Sequence, residues 1–377
     1  MRESSLPKVD VPTTDPRPIL LAAGGTGGHL FPAEALAEVL QKRGKSVALM
    51  TDRRVAEGDW AEHFPGDVYS ITAGTVTGTG IVAKLRGGLR LVKGVYEAHK
   101  LLSEIKPRIV VGFGGYPTVP PVLAAGFRRI PTIIHEANAV MGRANSFLAS
   151  RATAIATGFP LGDGPHAGKT QFTGNPVRKP VVAAAEIPYA PPVKGGRFNL
   201  LVFGGSQGAR VMSDVVPPAI QHMPEGLRSR LHITQQAREE DQKRVARIYA
   251  ELGVSHEVQP FFTDLPKRMA ENHLIIARSG AMTVTELAVI GRPGLLVPLP
   301  GALDQDQAKN GEILEKAGGA IVIPQSAFTP ISLADVLERK MAEPERLSAM
   351  AQAARRIGFA DASGRLADYI TDVIQGS

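Results

Sequence analysis

Residues 18–29, which read PILLAAGGTGGH, join a short apolar run to a glycine-rich turn, and apolar side chains then recur with helical spacing over residues 31–43. Residues 198–209, FNLLVFGGSQGA, repeat this pattern in the second half of the chain. In doubly wound sheets, ligands bind beyond the carboxyl ends of the strands, where such turns lie. The repeat therefore predicts two similar domains with a cleft between them.

Further apolar runs alternate with helical patterns along both halves. We predict strands at residues 46–51, 108–112, 132–135, 273–277 and 294–298, and helices at residues 281–290, 332–341, 344–357 and 364–374. Nearly continuous apolar strands that alternate with helices are typical of parallel sheets covered on both faces. The expected fold class is α/β, with two doubly wound Rossmann-like domains facing each other across a cleft.

Composition suggests where the domains begin and end. Residues 1–16 lack the apolar core of a signal peptide and are expected to form a flexible leader. Proline and glycine dominate residues 189–196, YAPPVKGG, as in a linker. We expect domains at residues 17–186 and 197–360, a linker at 187–196, and a final helix within 361–377 that packs on the first domain. The 377 residues include no cysteine, which excludes thiolate catalysis, cysteine–zinc sites and disulfides.

Residues 109–127 are uncharged and long enough to resemble a membrane span. They contain three prolines and four glycines, a poor composition for a spanning helix. We predict a buried strand, a glycine turn and the start of a helix there, and no membrane span.

Positive charge is concentrated in residues 78–108, where seven basic and two acidic side chains give +5 of the chain's net +7. Apolar residues recur at helical spacing within this segment, and four basic residues lie between them: Lys84, Arg86, Arg90 and Lys93. This composition is typical of a helix on an anionic membrane surface. A solvated surface helix is the alternative. The segment holds one aromatic residue and no recognised nucleic-acid module surrounds it, so no nucleic acid is expected as a partner.

Glycine turns that open helices suit anions, because free backbone N–H groups and the helix dipole point at the ligand. His29 closes the first turn and is a candidate general base. His135 ends a predicted strand and Glu136 directly follows it, so we expect their side chains on the same rim of the cleft. Asn138 belongs to that rim or, in the competing interpretation, starts a helix.

Residues 278–286, RSGAMTVTE, lie where a strand gives way to a helix. Their N–H groups could take a phosphate, and Glu286 could accept hydrogen bonds from a ribose. The alternative is a capped helix in which Glu286 interacts favourably with the dipole. Asp304 and Asp306 mimic a carboxylate pair for a divalent metal, but no third carboxylate or histidine lies nearby, so no metal is expected.

Taken together, seven motifs in this order resemble the MurG family of UDP-N-acetylglucosamine (UDP-GlcNAc) transferases. The motifs are GGTGGH (24–29), GFGGYPTVPPVLAA (112–125), HEANAVMGRAN (135–145), TGNPVR (173–178), GGSQGAR (204–210), RSGAMTVTE (278–286) and DQDQAKN (304–310). The resemblance covers residues 17–368.

The resemblance implies a GT-B glycosyltransferase of family 28 that needs no metal and no cofactor. Its donor is UDP-GlcNAc, bound mainly by the C-terminal domain. Its acceptor is undecaprenyl-pyrophosphoryl-MurNAc-pentapeptide (lipid I), reached by the N-terminal domain at the cytoplasmic face of the cell (inner) membrane, where the enzyme is peripheral. The reaction inverts the sugar anomer and forms a β-1,4 bond, which gives lipid II for peptidoglycan synthesis. Proteins of cell-wall synthesis are candidate partners.

Carried over by motif, the resemblance assigns the donor site to both domains: Thr26, Gly27, Gly28, Asn138 and Arg178 in the first, and Ser206, Phe262, Gly280, Ala281, Met282, Thr283, Val284, Thr285, Glu286 and Gln307 in the second. Ser206 and residues 280–285 would contact the diphosphate, Phe262 the uracil, Glu286 the ribose and Gln307 the sugar hydroxyls. Gln307 is preferred to Gln305 because it lies three residues before Asn310. His29 is the first choice for the base, ahead of His135 and Glu136.

The sequence is compatible with three alternative functions. One is a related GT-B transferase that moves a UDP-sugar to another lipid or small acceptor. A second is a UDP-GlcNAc 2-epimerase, which would act without an acceptor. The third is a nucleotide-sugar-binding or membrane scaffold protein, which any turnover would exclude.

Overall fold

Two parallel β-sheets organise the chain in the computed structural model, which describes residues 15–73, 81–162, 164–205, 208–301 and 305–376, with the side chains of residues 81–84 left out. The first sheet has seven strands, in the spatial order β3-β2-β1-β4-β5-β6-β7. They are β1 (Ile19–Ala22), β2 (Val47–Asp52), β3 (Asp67–Ile71), β4 (Ile109–Gly112), β5 (Thr132–Glu136), β6 (Ala154–Thr157) and β7 (Thr170–Phe172). Its helices are α1 (Gly27–Lys42), α2 (Arg53–Ala56), α3 (Asp59–Glu62), α4 (Ile81–Ile105), α5 (Val119–Phe127), α6 (Arg143–Ala149) and α7 (Lys179–Ala185).

The second sheet has six strands, in the order β10-β9-β8-β11-β12-β13. They are β8 (Phe198–Phe203), β9 (Leu231–Gln236), β10 (Ser255–Gln259), β11 (Leu274–Ala277), β12 (Gly294–Leu296) and β13 (Ala320–Val322). The remaining helices are α8 (Arg210–His222), α9 (Glu225–Arg228), α10 (Glu239–Glu251), α11 (Leu265–Glu271), α12 (Ala281–Ile290), α13 (Asp306–Lys316), α14 (Pro330–Ala342), α15 (Pro344–Arg356) and α16 (Ala362–Gln375). The predicted fold class is confirmed.

The central strands of each sheet are buried on both faces, and successive residues along them point to opposite sides. In β1, Ile19 and Leu21 join one hydrophobic cluster, whereas Leu20 and Ala22 join another on the opposite face. The central strand β8 divides in the same way, with Leu200 in one cluster and Leu201 in the other. This accounts for the unbroken apolar runs in the sequence.

Strand order reverses between β1 and β4 in the first sheet and between β8 and β11 in the second. Such switch points open a crevice at the carboxyl ends of the strands. Both repeated glycine turns lie there and share a backbone conformation: φ is +84° at Gly25 and +90° at Gly205, a region that favours glycine. A side chain at the end of the neighbouring strand holds each turn, since Gly25 N donates to Asp52 and Gly204 N donates to Gln236.

The last helix, α16, packs against α1 of the first domain. Its side chains Leu366, Ala367 and Ile370 are fully buried in the cluster that holds Ile19 and Leu21. The chain thus crosses from the first domain to the second and returns.

The structure describes the end of the expected leader and all of the uncharged segment at residues 109–127. Residues 1–14 of the expected leader lie outside the described residues, and Asp15 at its end forms an ion pair with Arg108, 3.2 Å apart. Residues 109–127 form β4, a turn, a 3-10 helix (Tyr116–Thr118) and α5, as predicted. Among the described helices, none combines the length and apolar composition needed to cross a bilayer.

Candidate active site

A cleft of about 990 Å³ lies between the two domains, at the switch points of both sheets. Thirteen of the expected site residues line it: Thr26, Gly27, Gly28, His29, Asn138, Arg178, Phe262, Gly280, Ala281, Met282, Thr283, Glu286 and Gln307. Ser206 lies outside the described residues. Four others, His135, Glu136, Val284 and Thr285, are buried beside the cleft without lining it.

On the side of the first domain, α1 begins earlier than predicted, at Gly27, because Thr26 takes the extended conformation of an N-cap residue. His29 therefore lies in the first turn of the helix. Its Nδ1 is 2.8 Å from the carbonyl oxygen of Phe113, which follows β4. Burial lowers the pKa of His29. The imidazole is therefore neutral at neutral pH, with Nδ1 protonated and Nε2 free to accept a proton.

His135 and Glu136 do not lie on the rim of the cleft, contrary to the expectation from their sequence position. Both belong to β5, and their side chains are 0% and 2% exposed. Burial lowers the pKa of His135 to about 4. The Glu136 carboxylate accepts N–H groups of Asn138, Gly142 and Asn145, so it shapes the loop after β5.

On the side of the second domain, the N-terminus of α12 opens onto the cleft. Gly280 is its N-cap, and no side chain caps the helix. The N–H groups of Ala281, Met282 and Thr283 are those that an α-helix leaves without an intrahelical partner. Val284 N already donates to Gly280 O, and its side chain is in the core. Within the expected diphosphate segment, residues 280–285, the backbone donors open to a ligand are therefore those of residues 281–283. The Thr285 hydroxyl accepts a hydrogen bond from Asn175 Nδ2.

Glu286 follows one turn later on α12 and lines the cleft with only 8% of its surface exposed. Burial raises the pKa of its carboxyl group to about 7, and the positive charge of Arg178 across the cleft opposes this rise. The guanidinium of Arg178 lies over the ring of Phe31, 3.8 Å from its centroid. A carboxylate and a guanidinium from different domains therefore face the same space.

Phe262 and Gln307, two of the expected donor contacts, each lie beside a second residue of the same type, Phe261 and Gln305. Phe262 is only 5% exposed and its ring lies under Arg268, whereas the neighbouring Phe261 also lines the cleft and is 56% exposed. Gln307 lines the cleft and its Oε1 accepts the N–H of Leu299. Gln305 is the N-cap of α13 and does not line it.

Three cations of the second domain line the cleft and were not predicted: Arg210, Arg238 and Arg278. Arg278 is buried and donates to Val297 O, Pro298 O and Gln325 Oε1, so no carboxylate neutralises its charge among the described residues. The sequence feature that points to Arg278 as a cleft residue is its position directly after a predicted buried strand. Within the described residues, which exclude Asp304, no group of three potential ligands could hold a metal ion.

Outside the cleft, α4 presents an apolar and basic face to solvent. Leu85, Leu89, Val92 and Tyr96 are 66%, 64%, 68% and 72% exposed. Arg86, Arg90 and Lys93 are also exposed, while the side chain of Lys84 lies outside the described residues. We call the described members of this set, residues 85–96, the α4 face.

Comparisons with known proteins agree with this geometry. The models of the glycosyltransferase family 28 N-terminal and C-terminal domains match residues 19–157 and 199–366. A UDP-N-acetylglucosamine–N-acetylmuramyl-(pentapeptide) pyrophosphoryl-undecaprenol N-acetylglucosamine transferase from Chelativorans sp. (strain BNC1) is 54% identical, over 96% of each chain. The protein of the same name from Rhodopseudomonas palustris is 53% identical, over 95% of this chain and 98% of that one.

Similarity extends to a solved structure. The crystal structure of MurG from Acinetobacter baumannii is 29% identical and superimposes with a TM-score of 0.76, covering 95% of this chain and all of that one. With both family domains matched in order and more than half of the residues shared with a full-length relative, the chain belongs to glycosyltransferase family 28 and, within it, to the MurG family.

Proposed function

We propose that this chain transfers GlcNAc from UDP-GlcNAc to the C4 hydroxyl of MurNAc in lipid I, which gives lipid II. The single observation that carries this proposal is the composition of the cleft. An open helix N-terminus and a buried carboxylate lie on one wall, and a neutral histidine with a free Nε2 lies on the other. A nucleoside diphosphate sugar and a hydroxyl acceptor therefore have complementary groups in one space.

The donor binds mainly to the second domain. The diphosphate accepts the N–H groups of residues 281–283, where the helix dipole adds a favourable field. Glu286 accepts the ribose hydroxyls, Gln307 contacts the sugar, and Phe262 with Phe261 flanks the uracil. Arg278 adds positive charge that carboxylates do not neutralise within the described residues.

The transfer is one displacement in which Nε2 of His29 removes the proton from the acceptor hydroxyl. The acceptor oxygen forms its bond to C1 of GlcNAc as the bond from C1 to the diphosphate oxygen breaks, so the anomer inverts and UDP leaves with the electron pair. Arg178 and the α12 N–H groups stabilise the negative charge that develops on UDP. The proton rests on His29 until it passes to solvent.

The enzyme works as a peripheral protein at the cytoplasmic face of the inner membrane, with the α4 face against anionic lipid. Apolar side chains on this face enter the interface while basic ones contact head groups. Lipid I is anchored in the same membrane, so docking brings its sugar to the mouth of the cleft. Proteins of cell-wall synthesis are further candidate partners.

The test is UDP release from UDP-GlcNAc, with and without a short-chain lipid I analogue, and with UDP-GalNAc as the control donor. We expect release that depends on the analogue and favours UDP-GlcNAc. Release or epimerisation without any acceptor would contradict the proposal and favour a 2-epimerase or hydrolase. Tight UDP binding with no release under any condition would support the fold assignment and would contradict lipid I as the acceptor.

A further inference from the structure

Both domains hold the short segment 137–139 that follows β5. From the first domain, Asn175 Nδ2 donates to Ala137 O at 2.9 Å. From the second, Asn310 Oδ1 accepts the backbone N–H of Ala139 at 2.8 Å. Between these two bonds, the side chain of Asn138 lines the cleft. The position of Asn138 therefore depends on a residue of the opposite domain.

Asn310 lies on α13 and is fully buried. Its Nδ2 donates to Asn138 Oδ1 at 3.0 Å and to Ser279 O at 3.3 Å. Ser279 directly precedes Gly280, the N-cap of α12. One amide therefore joins the loop after β5 to the turn that presents the α12 N–H groups.

The hydrogen bonds of Glu136 determine which donor and acceptor groups the side chain at position 310 must provide. Its Oε1 accepts both the backbone N–H and the Nδ2 of Asn138, at 2.9 and 3.0 Å. The amide of Asn138 is thus oriented with Oδ1 toward Asn310, because the reverse orientation would place an oxygen against a carboxylate. Position 310 must then donate to Asn138 and accept from Ala139, which an asparagine can do and an aspartate cannot.

Asn310 also lies three residues after Gln307, so the two side chains share a face of α13. Gln307 lines the cleft, whereas Asn310 does not. A change at position 310 therefore alters no direct contact in the cleft. Any effect of such a change on the reaction must arise from displacement of Asn138 or of the turn at residues 279–280.

We propose that Asn310 is a positioning residue for the transfer reaction, and that it holds Asn138 and the α12 N-terminus in register across the domain boundary. This inference rests on the proposed function. Interfaces between domains of one chain usually permit relative motion. A buried amide that spans the boundary fixes the closed arrangement in which acceptor and donor meet, and misplacement of about 1 Å there costs roughly a hundredfold in rate.

The kinetic test compares Asn310→Asp with Lys309→Ala, a control at the adjacent exposed position of α13. Asn310→Asp keeps the size of the side chain and removes its donor. We expect kcat to fall about 10- to 100-fold, while the Kd for UDP changes less than about twofold. The melting temperature should fall, because the new carboxylate faces Asn138 Oδ1 and Ser279 O in a buried site. Lys309→Ala should leave all three quantities unchanged.

Two outcomes would overturn the proposal. Native kcat in Asn310→Asp would show that the amide positions nothing. A parallel loss of kcat and UDP affinity would reveal a general structural role. The double variant Asn138→Ala with Asn310→Asp adds a check on the route. Because the two side chains share a hydrogen bond, we expect a loss smaller than the product of the two single losses, and independent, multiplying losses would contradict the proposed route.

Hydrogen exchange tests the same contact without lipid I. We expect the Ala139 amide of the native chain to exchange slowly with UDP bound, and faster in Asn310→Ala. Exchange of the native amide at the rate of an unstructured loop would overturn the proposal even if neither variant folds. If the native chain binds UDP and protects this amide but transfers no GlcNAc to lipid I, the proposed function fails while the contact stands.

Discussion

The Nδ1 atom of His29 lies 2.8 Å from the carbonyl oxygen of Phe113. The first residue belongs to the opening turn of α1 and the second follows β4, so this bond spans the switch point of the first sheet. Because a carbonyl oxygen only accepts, the contact fixes the proton on Nδ1 and leaves Nε2 as the basic atom. The fold thus selects the tautomer that a general base requires.

Replacing His29 tests this assignment. We expect His29→Ala to lower kcat by about two to four powers of ten, the range for loss of a general base. UDP affinity should change little. His63→Ala is a matched control, because Nδ1 of that exposed histidine also contacts a backbone carbonyl, Asp59 O, away from the cleft. Steady-state turnover near the native value in His29→Ala would remove His29 from the role.

Glu286 should make UDP binding depend on pH. Its carboxyl group has a raised pKa of about 7, and ribose hydroxyls bind the charged carboxylate more strongly than the neutral acid. UDP therefore lowers the pKa of Glu286, so binding releases protons below about pH 7 and the affinity rises as the pH is raised toward that value. Calorimetry in buffers of different ionisation enthalpy measures this release. Glu286→Gln should lose this part of the pH dependence, and an unchanged slope in that variant would argue against the ribose contact.

The α4 face should bind anionic membranes. Each basic residue near such a surface contributes about 1 kcal/mol, so changing Lys84, Arg86, Arg90 and Lys93 to glutamate should weaken binding to anionic vesicles by roughly a thousandfold or more. Glutamates at Lys243, Arg247, Lys267 and Arg339, all exposed on the second domain, are the control for net charge, because both variants lower it by eight. Vesicle co-sedimentation measures both. Equal loss in the two variants would indicate non-specific attraction, and retained binding in the first would place the docking surface elsewhere.

The return of α16 to the first domain predicts an effect on the stability of that domain. Leu366 is fully buried, and leucine-to-alanine changes at such sites cost about 2–5 kcal/mol. The single tryptophan, Trp60, packs against the same cluster, so its fluorescence reports on the first domain during urea unfolding. Leu366→Ala should lower the midpoint of the Trp60 transition, while the exposed Asp372→Ala should not. An unchanged midpoint in Leu366→Ala would show that α16 does not contribute to the stability of that core.

Local sequence patterns are sufficient to predict the fold class and most of the strands. Apolar runs place β2, β4 and β11 to within one residue, and the helical pattern gives α12 its observed bounds. The pattern starts α1 too late because glycine is a poor helix former, whereas Thr26 is the N-cap residue of a helix whose first turn contains two glycines. Glycine is tolerated there because the first N–H groups of a helix have no intrahelical partner to lose.

Side-chain direction was harder to predict than position in the chain. His135 and Glu136 end a strand as their spacing indicates, yet both side chains point into the protein, because the last residues of a parallel strand remain covered by the loop that follows. Sequence alone also gave no means of pairing Asn310 with Ala139, since these residues are 171 positions apart and meet only when the domains come together.

The most direct measurement is the product of the reaction itself. The native chain would be incubated with UDP-GlcNAc and a short-chain lipid I analogue, and the analogue then examined by mass spectrometry and by NMR of the new anomeric proton. We expect an analogue heavier by one N-acetylhexosamine, joined through a β bond to the MurNAc C4 oxygen. An unmodified analogue beside consumed UDP-GlcNAc, or a sugar joined through an α bond, would contradict it.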